Sequence, residues 1–505
     1  MCMNAKMTQK EGEKAKMPPP LSRVTVIGYG MGHLLNDLCS ALWFTYSLIF
    51  YSLVIGFSSV FTGVIMLIGQ IADALATPAI GIWSDRSSLI CLSALGKRKS
   101  WYALGTLLVL ISMPFIYSPC IGFENNSVYF QLLYYSFFVV IFQFGWAAVQ
   151  TVHLALVTDL TFISSERTNL LSLRNTFTVI SNIAVYIMAF IVLRINSNST
   201  LNKNDVGLFQ IVVAAVLALG GISSFIFFFT VKETNHEPLI EDDERNQVAI
   251  EPQSHGYWLK KWLLYHVAAV YMGTRIYCNV IQSFVPIYLH ESLKLDPYII
   301  ALGPLVMYIS SFVFSLMSGV MNMYLGKKIT FTVGALLGLS ASIWIVFDSS
   351  DFFKTYLIYF ITVLLGGGSS IMLVTVLAIV SDLIGSDTGN SAFIYGLMSF
   401  VDKLSCGIVI MLIQTFAPGN NTVYYTYTLA LTCTIACIFA GIMTWFLPSA
   451  LVKPQVFEQK TENDGPSTTT ELQSKSSTQE ERYSAASSYL QKKETSLSGK
   501  YLFTS

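Results

Sequence analysis

Long apolar stretches separated by short polar segments dominate this chain and predict helices that cross a membrane. A helix needs about 20 mainly apolar residues to span the hydrocarbon core of a bilayer. Twelve such stretches lie near residues 24–54, 58–83, 101–121, 129–159, 171–194, 206–231, 263–289, 297–324, 329–347, 352–383, 391–417 and 423–447. A polar segment at 232–262 separates the first six from the last six.

This six-and-six pattern predicts an all-α polytopic membrane protein of two six-helix bundles, at 24–231 and 263–447. Outside them lie an N-terminal segment at 1–23, the central loop at 232–262 and a tail at 448–505. The tail is rich in Ser, Thr, Glu and Lys, and we expect it to be disordered because it cannot bury a core. Helix four ends in LALVTDL (Leu154–Leu160) and helix ten ends in LAIVSDL (Leu377–Leu383). Matched motifs at matched places favour an internal duplication, hence the pseudo-symmetric major facilitator fold with its substrate held between the halves.

Composition narrows the class of protein. Hydrophobic residues make up 53% of the chain and charged residues 12%, whereas soluble domains carry about 25% charged residues. The net charge is zero, so nothing favours a nucleic-acid partner, and membrane lipid is the expected surrounding. The eight cysteines are scattered and do not have the spacing of a metal site. Because no nucleotide loop or nucleophile–base pattern is evident, we expect neither an enzyme nor a bound cofactor or metal.

The distribution of basic residues predicts the orientation, since cytoplasmic loops are enriched in Lys and Arg. The even-to-odd loops carry Arg86, Lys97, Arg98, Lys99, Arg167, Arg174, Lys232, Arg245, Lys260, Lys261, Lys327 and Lys328. The opposite loops carry Arg194, Lys203, Lys294 and Lys354. Both termini are therefore expected in the cytoplasm. Three glycosylation sequons, at Asn125, Asn198 and Asn420, fall in the opposite loops, where such sites are modified.

A candidate gating loop follows helix two. Gly81, Asp85, Arg86, Lys97 and Arg98 are arranged as in the signature loop between helices two and three of major facilitators. An acid at a helix end can pair with bases and release them when the two halves move. Simple positive-inside anchoring would explain the bases of this loop but not its glycine and its acid.

Polar residues inside the predicted helices form stripes. His33 and Asp37 are four apart in helix one and share a face. The other stripes are Gln70, Asp73 and Thr77 in helix two; Gln143, Trp146, Gln150 and His153 in helix four; Arg275, Asn279 and Gln282 in helix seven; and the adjacent pair Asp402–Lys403 in helix eleven. Adjacent residues lie about 100° apart on a helix, so we expect one member of that pair to face a central site squarely.

Intramembrane charges are expensive and by default indicate a functional site. The candidate substrate or coupling-ion residues are Asp37, Asp73, Gln150, His153, Arg275, Asn279 and Lys403. Structural ion pairing and interhelical hydrogen bonds are the alternative role. Charges of both signs suit a zwitterion, with Asp37 on its ammonium group, and the same set suits sugar hydroxyls. The residues alone do not separate these two substrates.

Helices one, two and eleven resemble the glycoside–pentoside–hexuronide:cation symporters of the major facilitator superfamily. In that family an acid in helix one binds sugar, two acids precede a proline in helix two, and helix eleven has a lysine. Asp37, Asp73 and Lys403 match this pattern. Thr77 and Gln150 stand where the family has further acids, which weakens the case for sodium–sugar coupling.

Six longer motifs resemble a narrower branch of the superfamily, the lysosomal and melanosomal facilitators. These are GHLLNDLCSALWFTY (Gly32–Tyr46), GQIADALATP (Gly69–Pro78), PFIYSPC (Pro114–Cys120), IFQFGWAAVQTVHL (Ile141–Leu154), TRIYCNVIQ (Thr274–Gln282) and FIYGLMSFVDK (Phe393–Lys403). The resemblance implies a protein required for cysteine import into those organelles. In the central loop, NHEPLI (Asn235–Ile240) is close to a dileucine signal, with an asparagine in place of the usual acid, which makes sorting adaptors candidate partners.

The leading hypothesis is a monomeric secondary transporter that moves a small zwitterionic solute, cysteine, across the lysosomal or melanosomal membrane. A cation-coupled sugar symporter at the plasma membrane and a non-transporting scaffold or sensor are the alternatives. The coupling ion is left open between H⁺ and Na⁺. His33 or His153 is the candidate proton carrier, because imidazole titrates near neutral pH.

Overall fold

Fourteen α-helices make up most of the described chain, which in the computed structural model comprises residues 21–86, 95–122, 127–161, 164–195, 201–233, 255–347, 350–384, 391–418 and 423–452. Those of the first half are α1 Arg23–Met31, α2 Leu34–Ile49, α3 Ser59–Arg86, α4 Lys97–Ile116, α5 Val128–Leu160, α6 Ser164–Ile195 and α7 Val206–Thr230. Those of the second half are α8 His255–Lys260, α9 Trp262–Ile287, α10 Ile299–Leu325, α11 Lys327–Phe347, α12 Ile358–Ile384, α13 Ser391–Thr415 and α14 Tyr424–Trp445. Short π-helical turns continue α2 at Phe50–Ile55, follow α9 at Tyr288–Ser292 and precede α12 at Phe353–Leu357.

Within the described ranges, eleven helical segments are long and apolar enough to cross a membrane, the first of them running from Arg23 to Ile55. The twelfth long helix is α9, whose hydropathy is lowered by polar side chains such as Arg275, Asn279 and Gln282. It packs among the others, against α12, α13 and α14. The prediction of an all-α polytopic membrane protein is therefore confirmed.

The first predicted helix is interrupted, whereas the sequence pattern predicted one continuous helix near 24–54. The break lies at Gly32 and His33, between α1 and α2. A Cβ at Gly32 would lie 2.4 Å from Phe227 and 2.9 Å from the His153 ring, so this position admits a close approach that a larger residue would prevent. Side chains donate hydrogen bonds to two backbone carbonyls near the break. Tyr102 Oη donates to the Gly32 carbonyl at 2.6 Å, and His153 Nε2 donates to the Tyr29 carbonyl at 2.8 Å.

Among the described residues, the most extensive contacts between the two halves are those of α3 with α13, α2 with α9, and α6 with α10. We call the end of the bundle where α1 begins and α14 ends the terminal end, and the opposite end the far end. Toward the far end, Ser283 Oγ of α9 donates to the Phe44 carbonyl of α2 at 2.9 Å. Beyond the helices, the Leu201 N–H donates to His290 Nε2 at 3.2 Å. These contacts join the halves on the far side of their centre.

Candidate functional site

A cavity of about 370 Å³ lies between the halves and is lined by polar and aromatic side chains from seven helices. Its walls are formed by Ser40, Phe44, Gln70, Asp73, Trp146, Gln150, Thr178, Asn182, Tyr271, Arg275, Asn279, Gln282, Tyr308, Ser399, Asp402 and Lys403. Pockets of about 300–1,000 Å³ are typical of small-molecule sites. Five of the seven sequence-predicted residues line this cavity, namely Asp73, Gln150, Arg275, Asn279 and Lys403.

An ion pair crosses the cavity from one half to the other. Lys403 Nζ of α13 lies 2.6 Å from Asp73 Oδ1 of α3 and donates to Thr77 Oγ1 at 2.8 Å. The Thr77 hydroxyl in turn donates to Asp73 Oδ1 at 3.1 Å. Lys403 Nζ also lies 5.4 Å from the centre of the Trp146 ring, within the range of a cation–π contact. Thr77, which replaces an acid in the resembling family, therefore ties the lysine to the carboxylate.

A second ion pair lies within the second half. Arg275 Nε of α9 donates to Asp402 Oδ2 at 2.7 Å, and Asn279 Nδ2 donates to Asp402 Oδ1 at 3.2 Å. Asp402 and Lys403 thus both line the cavity and point to different partners. The cavity contains two carboxylates and two cations, so its formal charge is balanced before a solute enters.

One cavity residue has an unused acceptor. Gln150 Oε1 is buried and has no hydrogen-bond partner among the described residues. Buried polar atoms in native proteins are usually paired with protein or water. An ammonium or hydroxyl group of a bound solute could donate to this oxygen.

Asp37 lies in a neighbouring cluster in the first half, outside the residues that line the cavity. His33 Nδ1 is 2.7 Å from Asp37 Oδ2, and Thr178 Oγ1 donates to the same oxygen at 2.8 Å. Thr178 also lines the cavity, so one side chain separates Asp37 from it. Direct contact between Asp37 and a solute ammonium group remains a prediction. The position of Asp37 behind Thr178 does not favour that contact.

His153 also lies outside the cavity wall. It is fully buried, stacks on Tyr29 with ring centres 4.2 Å apart, and donates to the Tyr29 carbonyl at the helix break. Tyr29 Oη donates back to the His153 carbonyl at 2.9 Å. The described contacts of His153 therefore support the α1–α2 break.

The candidate gating loop joins three helices of the first half at the terminal end. Arg98 Nε lies 3.3 Å from Asp159 Oδ2 of α5, and its Nη1 donates to Ser84 Oγ of α3 at 3.0 Å. A Cβ at Gly81 would lie 3.8 Å from Thr151 Cγ2, an ordinary van der Waals contact, and the Lys97 backbone begins α4. The side chains of Asp85 and Arg86 lie outside the described atoms.

The second half repeats this arrangement in simpler form. Lys327, at the start of α11, pairs with Asp382 near the end of α12 and donates to the Ala378 carbonyl at 3.3 Å. Asp159 and Asp382 are the acids of the two matched motifs at 154–160 and 377–383. Each motif thus supplies the carboxylate that holds the start of a neighbouring helix in its own half.

Some sequence-level predictions fall outside the described residues. These are the three sequons at Asn125, Asn198 and Asn420 and the candidate sorting segment at 235–240. They remain predictions.

Sequence reasoning missed several cavity residues. Asp402 was left out because adjacent residues on a helix diverge by about 100°, yet both it and Lys403 reach the cavity. An intramembrane acid is signal enough to include it. Tyr271, Tyr308 and Asn182 carry no pattern that distinguishes them from packing residues.

The family model described as MFS/sugar transport protein matches residues 28–452. The chain belongs to that family. It is 38% identical over 417 residues to "Major facilitator superfamily domain-containing protein 12" of Equus caballus, covering 79% of this chain and 86% of the relative. It is 37% identical over 423 residues to the protein of the same name from Homo sapiens, covering 80% and 87%.

The fold is also similar to solved family structures. The inward-open conformation of the xylose transporter XylE from E. coli superposes with a TM-score of 0.60 at 12% sequence identity, covering 84% of this chain and 95% of that one. At this identity the likeness shows the fold alone. The family match and the relatives support a multi-pass membrane protein that acts as a secondary transporter.

Proposed function

We propose that this protein carries a small zwitterionic solute, cysteine, across the lysosomal or melanosomal membrane by alternating access, with both termini in the cytoplasm. The observation that carries the proposal is the cavity with balanced charges of both signs between the two halves. The similarity to proteins named "Major facilitator superfamily domain-containing protein 12" and the resemblance to lysosomal facilitators support the choice of membrane and of cysteine.

The ion pair between Asp73 and Lys403 explains why a zwitterion is suited to this site. A bound amino acid can place its ammonium group on the Asp73 carboxylate and its carboxylate on Lys403, so that both buried charges keep a partner. A solute with a single charge would leave one of them unpaired, which is costly in a buried site. The solute would thus replace a direct link between the halves by a link through itself.

Arg275 and Gln150 extend this recognition. Arg275 uses its Nε for Asp402, which leaves the two terminal guanidinium nitrogens to face a solute carboxylate. Gln150 offers its unpaired oxygen to an ammonium group. The aromatic rings of Phe44, Trp146 and Tyr308 in the same cavity suit a thiol side chain, since sulfur packs favourably against aromatic rings.

The test is counterflow in proteoliposomes that contain the purified full-length protein. Vesicles loaded with unlabelled cysteine should accumulate labelled cysteine from outside, because exchange needs the cavity and its movement but no ion gradient. Asp73→Asn should abolish this accumulation, whereas Asp296→Asn, at an exposed residue, should leave it unchanged. Absence of counterflow with the wild-type protein would contradict the proposal and favour a scaffold or sensor.

A second candidate, a sugar symporter, is favoured by the amide side chains of the cavity. Gln70, Gln150, Asn182 and Gln282 come from four helices, and amides with carboxylates are suited to sugar hydroxyls. In the same assay, loading with pentoses or hexosides in place of cysteine distinguishes the two candidates. Counterflow of a labelled sugar without counterflow of cysteine would select the sugar symporter.

A further inference from the structure

A buried chain of hydrogen bonds lies beside the break between α1 and α2, entirely within the first half. Arg174 Nη2 donates to His33 Nε2 at 2.8 Å, and His33 Nδ1 lies 2.7 Å from Asp37 Oδ2. Thr178 Oγ1 donates to the same carboxylate oxygen at 2.8 Å. We call Arg174, His33, Asp37 and Thr178 the His33 cluster.

The partners fix the protonation state of His33 in this structure. A guanidinium group has donors and no acceptor, so the nitrogen that faces Arg174 must carry a lone pair. The other ring nitrogen then carries the hydrogen and donates it to Asp37. His33 is therefore neutral, and the charges of Arg174 and Asp37 balance across it.

Two buried polar atoms in this region have no hydrogen-bond partner among the described residues. One is Arg174 Nε and the other is His153 Nδ1. Because His153 Nε2 faces a carbonyl and must donate to it, Nδ1 carries an unused lone pair. The His33 and His153 rings lie side by side, with centres 5.3 Å apart. The His33 cluster thus contains a cation with an unused donor, Arg174, and lies beside an unused acceptor on His153.

Five helices present titratable or charged groups to His33 or to the neighbouring His153. Asp37 of α2, His153 of α5 and Arg174 of α6 contact His33 directly, whereas Tyr29 of α1 and Tyr102 of α4 contact His153. From α7, Phe227 packs on His153 and Ser224 accepts from Tyr102. In this set Asp37 is the anion and Arg174 the cation.

We propose that His33 is the proton-binding site that couples solute transport to a proton; this rests on the proposed function. A proton from water forms a bond with the Nε2 lone pair, which then ceases to accept from Arg174. The imidazolium keeps its bond to Asp37, and the unused lone pair of His153 lies on a ring whose centre is 5.3 Å from that of His33. His33 Nε2 therefore cannot bind a proton and accept the hydrogen bond from Arg174 at the same time.

Charge balance determines that Arg174 is the group that leaves when His33 binds a proton. With a proton on His33 and Arg174 still in place, the cluster would carry an uncompensated positive charge inside the membrane, which is strongly unfavourable. Arg174 lies in the third turn of α6, which begins at the terminal end. Its release toward that end restores neutrality and frees α6 from the α1–α2 break.

Thr178 connects this change to the solute. It lines the cavity and donates to Asp37, so movement of α6 or of the Asp37 carboxylate alters the cavity wall. Ser40, another cavity residue, donates to the Asp37 carbonyl at 2.9 Å. The His33 cluster is thereby adjacent to the solute site without being part of its wall.

The experiment uses full-length protein in proteoliposomes, with labelled cysteine as solute and a pH-sensitive dye trapped inside. His33→Gln keeps an oxygen that can accept from Arg174 and an amide that can donate to Asp37, but it does not take up a proton. Cysteine counterflow should stay near the wild-type rate, whereas proton influx driven by a cysteine gradient should fall about fivefold or more. His266→Gln is the control, since His266 makes one ring contact in the second half, to the Met443 carbonyl, and should change neither rate.

Four results would overturn the inference. Cysteine-driven proton influx in His33→Gln equal to wild type would show that the proton binds elsewhere. Wild-type counterflow without proton influx would reject proton coupling while leaving the proposed function standing, whereas absence of wild-type counterflow would reject the proposed function as well. If His33→Gln shows no counterflow, Arg174→Gln is the variant to measure in the same assay. We expect Arg174→Gln to exchange cysteine without proton influx. Proton influx at the wild-type rate in Arg174→Gln would contradict the inference.

Discussion

The central cavity and the His33 cluster are both buried and both balanced in charge, but they differ in which parts of the molecule their ion pairs join. In the cavity, Asp73 and Lys403 come from different halves. In the cluster, Arg174, His33 and Asp37 belong to one half. When the halves move relative to each other, a pair between them must break or be bridged, whereas a pair within one half can move as a unit. We therefore propose the first region for the solute and the second for the local switch.

The largest expected effect comes from breaking the pair that crosses the cavity. Asp73→Asn leaves Lys403 buried without a carboxylate, and removing one partner of a buried pair costs about 3–5 kcal/mol. Cysteine uptake should be lost, and the thermal unfolding midpoint of the purified protein should fall.

The double variant Asp73→Asn/Lys403→Gln is the matched comparison. Because it removes both charges, its midpoint should recover toward wild type while uptake stays absent. An equal loss of stability in the single and double variants would contradict the view that the unpaired lysine is the cause.

The next largest effect tests whether Arg275 binds the solute in the cavity. Arg275→Lys keeps the charge but has one nitrogen to share between Asp402 and the solute, whereas arginine offers a planar fork of donors. We expect KM for cysteine to rise about tenfold, equivalent to about 1.4 kcal/mol, with little change in kcat. A fall in kcat at constant KM would instead place Arg275 in the movement of the halves.

A smaller effect is expected from the two ion pairs at the terminal end, each of which lies within one half. Arg98 joins α3, α4 and α5 through Ser84 and Asp159, whereas Lys327 reaches α12 alone. Arg98→Gln should therefore lower the uptake rate more than Lys327→Gln does, with a difference of about twofold to fivefold. Such a factor corresponds to a coupling free energy of about 1 kcal/mol or less. Equal effects in an uptake assay would indicate that the symmetric acids matter more than the number of helices joined.

The smallest effect concerns Glu291, in the π-helical turn beyond the end of α9. A hydrogen bond from His290, with help from Lys294, lowers the pKa of Glu291 below its ordinary value near 4.5. A depressed folded-state pKa contributes stability that is present above the unfolded value and is lost as the pH falls through the folded value. Glu291→Gln should thus cost less than about 1 kcal/mol at pH 7, and the difference in unfolding midpoint from wild type should shrink as the pH falls below 4.5. A constant difference across that range would contradict this electrostatic cause.

The helices could be predicted from the sequence because twelve apolar stretches of spanning length leave little choice in a bilayer. The cavity was predicted in part, because Asp73, Arg275 and Lys403 are too costly to place against lipid. The sequence pattern did not reveal the break at Gly32, since its cause is the approach of Phe227 and His153 from other helices. The spacing of four placed His33 beside Asp37, but their partners Arg174 and Thr178 come from α6, which no spacing along one helix could show.

The central claim is that the cavity recognises a zwitterion through its paired charges, and competition in the counterflow assay tests it most directly. Labelled cysteine would be challenged with unlabelled cysteine, with cysteamine, which lacks the carboxylate, and with 3-mercaptopropionate, which lacks the ammonium group. We predict that cysteine competes fully while both analogues compete at least about tenfold more weakly, because each leaves Asp73 or Lys403 without a partner. Competition by either analogue equal to that of cysteine would contradict it.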